Sequence, residues 1–146
     1  NNVRIHVSGA WEELPERIVG QIKKSIQQTQ NNTGLILNIV LNYGSRNEIL
    51  SACKKLYKDV QSDIISIDGI DESTFQNYLY TRDLPDPDLL IRPSGELRIS
   101  NFLLWQIAYT ELWFTEVYWP DFKSDDLLKA ILDFQKRERR YGGLKS

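Results

Sequence analysis

The chain has 146 residues and 17.0 kDa, with 20 acidic against 18 basic side chains and a formal charge of −2. A charge so near balance gives no sign of a general nucleic-acid binder, and 41% hydrophobic with 26% charged residues excludes a disordered or collagen-like chain. No apolar run approaches the roughly 20 residues that cross a bilayer. No charged-then-apolar leader opens the sequence, and the single Cys53 fits a reducing, cytoplasmic compartment. The chain lacks Met and opens on Asn1-Asn2 directly before a strand pattern, which reads as a start inside a fold.

Val3, Ile5 and Val7 alternate with Arg4, His6 and Ser8, the period of a strand with one face on a core. Leu14, Ile18, Ile22 and Ile26 then recur every four residues, predicting a helix to Gln30 that Asn31-Asn32-Thr33-Gly34 stops. Residues 35–41 are almost continuously apolar, as a central strand covered on both faces requires. Ser45 and Glu48 form a capping-box pair, and Ile49, Cys53, Leu56 and Val60 define one face of the following helix, with Cys53 on its buried side. A short helix over 72–80 with Asp71 as cap follows, ended by Pro85 and Pro87.

Residues 88–92 read as a short buried strand that Pro93-Ser94-Gly95 turns away. Ser100 or Asn101 can cap a helix through Trp105 to Tyr109, and the β-branched and aromatic residues of 112–118 suggest another strand. Ser124 with Asp125 and Asp126 opens a last helix, with Leu127, Ile131 and Phe134 inward and Gly142-Gly143 at its end. Strands alternating with helices of crossover length predict an α/β fold, a mostly parallel sheet with helices on both faces, as a single domain over 1–146.

The densest polar segment, residues 92–101, lies between a buried strand and the expected helix start. Ligands of parallel α/β sheets bind beyond the strands' carboxyl ends, and a helix N-terminus attracts anions. Arg92 and Arg98 could therefore converge on a phosphate or diphosphate with Ser100, or else pair on the surface with Glu96, Asp88 or Asp86. Glu111, near the expected helix's C-terminal end, gains nothing from the dipole there; it is either an ordinary solvated carboxylate or a Mg²⁺ ligand. Arg140 before Gly142-Gly143 complements the last helix's dipole or reaches an anion in the same or a partner subunit. The segment 42–46 belongs to the same sheet edge or is turn chemistry. His6, without a Cys or His companion, reads as structural. Trp105, Trp113, Phe114, Tyr118 and Trp119 form an aromatic band suited to a core or a subunit interface.

The motifs Leu41-Asn42-Tyr43-Gly44-Ser45-Arg46, the run from Asp88 to Asn101 and Phe102-Leu-Leu-Trp105-Gln-Ile-Ala-Tyr109-Thr-Glu111 carry a family resemblance. So do Trp119-Pro-Asp121-Phe122 and Arg137-Glu-Arg-Arg-Tyr-Gly-Gly143. With them the sequence resembles the cis-prenyltransferases, in particular the bacterial undecaprenyl diphosphate synthases. That resemblance implies condensation of isopentenyl diphosphate with an allylic diphosphate, usually farnesyl diphosphate, to a long-chain Z-polyprenyl diphosphate, the lipid-carrier precursor for cell-wall synthesis. It implies Mg²⁺ as cofactor, with Arg92, Arg98, Ser100 and the Ile99 backbone on the isopentenyl diphosphate and Glu111 on the metal.

A homodimer is also implied, in which Arg140 and Gly142 reach the partner's diphosphate, as is peripheral membrane contact through the product. The family's amino-terminal His and Asp-Gly-Asn-x-Arg-Trp segment, with its catalytic Asp, is not in this sequence. This chain alone is therefore expected to lack synthase activity. The alternative is a non-catalytic, cis-prenyltransferase-like partner subunit.

Overall fold

A computed structural model describes residues 1–137. Its contacts gather into two compact units, Asn1–Pro85 and Asp86–Ser146. Each is built on a pair of parallel strands flanked by helix, so the expected α/β class with parallel pairing is what the chain adopts.

In the first unit β1 (Arg4–Ser8) leads through α1 (Glu16–Thr29) to β2 (Ile36–Val40), and the strands pair in parallel from Arg4 opposite Ile36 to Ser8 opposite Val40. Pro15 stands at the N-cap of α1, so the helix begins two residues after Leu14. The crossover is stitched at its far end: the Ile5 amide donates to Thr29 Oγ1 at 3.0 Å, and Asn32 Nδ2 donates to the Val3 carbonyl at 2.7 Å. Between β1 and α1, Gly9 has φ +112°, and a Cβ there would overlap the Leu41 carbonyl. His6 Nδ1 lies 3.0 Å from Asn38 Oδ1 across the pair, a structural partner.

The 35–41 run does not become a strand covered on both faces. β2 has one strand neighbour among the described residues, and Leu37 and Ile39 on one of its faces are exposed, as is Leu35 just before it. The apolar pattern records a strand suited to burial, whereas the burial itself depends on whatever chain lies against it.

α2 spans Ser45–Gln61 with Gly44 as its N-cap, which puts Ser45 inside the first turn and dissolves the expected capping box. Its inward face is Ser45, Glu48, Ala52 and Leu56. Cys53 is therefore exposed, a correction of about one helical position: with 100° per residue, Ala52 rather than Cys53 shares the face of Glu48 and Leu56. α3 is shorter than expected, Glu72–Gln76, and Asp71 caps it by accepting from the Thr74 amide at 2.7 Å.

In the second unit β3 (Leu89–Arg92) and β4 (Glu111–Phe114) pair in parallel, Leu89 opposite Glu111 and Arg92 opposite Phe114. β4 is thus shorter than the 112–118 stretch and begins one residue earlier. α4 (Ser124–Lys136) starts one residue after its N-cap Lys123, whose amide donates to Asp126 Oδ2 at 3.0 Å. Trp113 Nε1 donates to Asp133 at 3.1 Å, which ties α4 to β4.

Residues 100–109 are turns, not the expected helix. Ser100, Asn101 and Leu103 have φ of 53°, 62° and 48°, and left-handed residues this close together break a right-handed helix before its second turn. Within the segment the Ile107 amide donates to the Leu103 carbonyl at 3.0 Å, a helical-type bond.

Candidate functional site

β3 ends at Arg92, and the turn that follows is held tightly. Ser94 and Gly95 both take positive φ, 75° and 68°. Their amides donate to the carbonyls of Val117 and Thr115 at 2.9 and 2.8 Å, while the Thr115 amide donates to the Arg92 carbonyl at 3.1 Å. The chain beyond β4 is thereby fastened to the turn beyond β3. Between them opens a cavity of about 330 Å³, lined by Leu90, Ile91, Arg92, Pro93, Ser94, Ile99, Phe102 and Trp119. That volume lies at the small end of the roughly 300–1,000 Å³ of small-molecule sites.

The guanidinium of Arg92 supplies the charge. Its Nε is buried and has no hydrogen-bond partner among the described residues. Leaving a buried donor unmade costs about 1–3 kcal/mol, more when the group is charged, so an anion at this position satisfies what the fold leaves open. Ile99 shares the cavity with Arg92.

The other expected residues are elsewhere. Arg98 is exposed and makes a close ion pair with Glu96, the surface partner that the sequence left open as an alternative, and it does not line the cavity with Arg92. Ser100 is exposed, and with no helix starting beside it there is no helix N-terminus to present to an anion. Glu111 opens β4 instead of closing a helix. Its Oε2 accepts from Arg137 Nη1 at 2.7 Å, and the same nitrogen donates to the Leu112 carbonyl at 3.0 Å. Arg140 and Gly142 lie outside the described residues.

Glu111 is not part of the cavity lining. It stands opposite Leu89, three residues before Arg92, which at about 3.3 Å per residue is about 10 Å along the strands. No three Asp, Glu, His or Cys side chains come together among the described residues to hold a metal. Glu111 is ion-paired with Arg137 and is not among the residues that line the Arg92 cavity.

Sequence reasoning passed over the cavity wall. Phe102 and Trp119 line it, although Trp119 read as one of an aromatic band and Phe102 only as part of a motif. No local periodicity signals this, because the strand register and the turn bonds bring residues 102 and 119 to the end of β3.

Strand pairing and cavity together define a parallel α/β protein with a concave, arginine-bearing site at a strand's carboxyl end. The family model described as undecaprenyl diphosphate synthase, a prenyltransferase family, matches residues 1–142. The chain is 51% identical to an isoprenyl transferase of Clostridium tetani over 144 residues, 99% of this chain and 56% of the relative. It is 54% identical to one of Bacillus cereus over 143 residues, 98% of this chain and 55% of the relative.

Among solved structures, lavandulyl diphosphate synthase from Lavandula x intermedia, in complex with dimethylallyl diphosphate, matches with a TM-score of 0.93 at 37% identity. That match covers 97% of this chain and 61% of the synthase. A probable undecaprenyl diphosphate synthase from Campylobacter jejuni matches with a TM-score of 0.84 at 30% identity, over 98% of this chain and 64% of that one. The chain belongs to the undecaprenyl diphosphate synthase family of prenyltransferases. It spans a little over half the length of the curated relatives it matches.

Proposed function

We propose that this chain forms the isopentenyl diphosphate half of a prenyl-chain-elongating transferase, with Arg92 as the residue that grips the diphosphate. The observation that carries this reading is the buried, unpartnered Nε of Arg92 at a strand's carboxyl end, in a cavity whose other side chains are apolar except for Ser94. An alkenyl diphosphate has that same division, a polyanion at one end and hydrocarbon at the other.

In the proposed reaction the isopentenyl double bond attacks the allylic carbon of farnesyl diphosphate, the allylic diphosphate leaves with the bonding electrons, and a proton departs as the new double bond forms. What this chain's residues contribute is position: a fixed guanidinium orients the attacking group and requires little reorganisation as charge separates. Arg98 joins only by exchanging its partner Glu96 for the diphosphate, and Ser100 and the Ile99 amide stand at the same loop. Repeated rounds give a long-chain polyprenyl diphosphate such as undecaprenyl diphosphate, made by a dimeric enzyme. No helix among the described residues is long and apolar enough to cross a membrane.

One observation favours a second reading, a non-catalytic partner subunit. Glu111 is held by Arg137 and does not line the cavity, an engagement that a metal-binding carboxylate has to give up.

Calorimetric titration of the full chain with isopentenyl diphosphate tests the two. Binding that weakens more than about tenfold in Arg92→Ala is expected, since a buried charge-assisted bond is lost. Unchanged affinity in that variant overturns the assignment, and dimerisation without any diphosphate affinity establishes the second reading.

A further inference from the structure

The lining of the Arg92 cavity divides chemically: Arg92 and Ser94 are polar, whereas Leu90, Ile91, Pro93, Ile99, Phe102 and Trp119 are apolar. An inorganic anion uses only the polar residues and leaves the apolar wall wet. Among the wall residues Trp119 is unusual, because 72% of it is exposed although it is the largest apolar side chain there. An indole so placed is not serving the core of its own unit.

It is nevertheless held. Trp119 opens a short 3₁₀ turn, Trp119–Asp121, and its ring stacks on Phe122 with centroids 6.0 Å apart and planes 16° from parallel. The segment leading to it is bonded to the turn after Arg92 through Val117 and Thr115. The indole is thus preorganised in the lining of an arginine-bearing cavity, where covering it gains hydrophobic free energy and ordering it costs little.

We propose that Trp119, with Phe102 beside it, is the specificity element of this cavity: it selects a short branched alkenyl diphosphate over an inorganic anion by covering the hydrocarbon. This rests on the reading that the cavity holds a diphosphate at Arg92. Trp119 does not touch the phosphates, so its removal changes discrimination and not anion binding. Phe102 is a second aromatic side chain in the lining and adds apolar surface for the hydrocarbon.

The test is a pair of titrations, inorganic pyrophosphate and isopentenyl diphosphate, on the full chain, Trp119→Ala and Trp119→Phe under one buffer and metal concentration. The parent is expected to prefer isopentenyl diphosphate by about tenfold or more, the discrimination typical of small hydrocarbon groups in apolar pockets. In Trp119→Ala that preference falls to about twofold while pyrophosphate affinity is unchanged, and Trp119→Phe restores most of it. Because Trp119 is largely exposed, retained pyrophosphate binding also shows the variant to be folded.

A parent that binds both ligands equally well overturns the specificity role and leaves the anion site intact. Equal weakening of both ligands in Trp119→Ala overturns it too, because that is what a merely structural residue would do. A parent that binds neither ligand removes the anion site itself, and with it both readings.

Discussion

Glu48 is the one carboxylate the first unit takes fully out of water, at 1% exposure. Its Oε2 accepts from the Tyr43 hydroxyl at 2.5 Å and its Oε1 from the Tyr80 amide at 2.8 Å. A side chain on α2 thereby pins both the turn after β2 and the segment after α3. Replacing it with Ala leaves a buried amide and a hydroxyl without that acceptor, each worth about 1–2 kcal/mol. Glu48→Ala is expected to lower stability by about 3 kcal/mol in a urea titration, and Glu48→Gln, which keeps one oxygen, by about half of that. A loss below about 0.5 kcal/mol for the alanine would mean that the network contributes nothing. The sequence showed Glu48 three residues after Ser45, a spacing that suits a capping box, but Gly44 is the N-cap, and Ser45 and Glu48 are both buried in the first turn of the helix. Arg92 was legible because a charged residue directly after an apolar strand run stands where such sheets bind ligands; Trp119 was not, since its place depends on bonds between distant turns.

At the scale of elements, capping succeeded where packing made no competing demand. Asp71 caps α3, and the bonds from Thr74, first its amide and then its hydroxyl, hold the Asp71 carboxyl below the ordinary 3.8. A carboxylate depressed in the folded state stabilises above its unfolded value and loses that contribution as pH falls through the lower folded one. The stability gap between the parent and Asp71→Ala is therefore expected to be constant near neutral pH and to close as pH drops below 3.8. Urea midpoints over that range measure it, and a gap that persists in strong acid would show that the cap does not depend on charge. Asp86 acts in the opposite sense: burial pushes its carboxyl up, so its contribution is present in acid and is lost as pH rises through the folded value. Comparing variants at one position keeps the two apart. The helix expected over 100–109 failed for a reason that propensity hides: Ser and Asn cap helices well and also tolerate left-handed backbone, and here they take the second role.

For the molecule as a whole, strand periodicity disclosed more than the structure itself covers. Alternation in β1 and the apolar run in β2 correctly gave two parallel-paired strands, yet Leu35 is 70% exposed, Leu37 48% and Ile39 40%. A hydrophobic residue left in water contributes almost nothing to the stability of its own unit, so sequence pattern and folding energetics part company on this face. The double substitution Leu37→Thr with Ile39→Thr places β-branched, strand-compatible side chains at both positions and removes the apolar surface. It is expected to leave the urea midpoint within about 0.5 kcal/mol of the parent while lowering both the fluorescence of a bound apolar dye and self-association in sedimentation velocity. The same substitution at positions that serve as core costs about 2 kcal/mol or more per site, so a fall of that size would place these residues inside a packed interior in solution. With the midpoint unmoved and dye binding reduced, β2 presents a face whose apolar character serves contact with other chain, not the stability of residues 1–85.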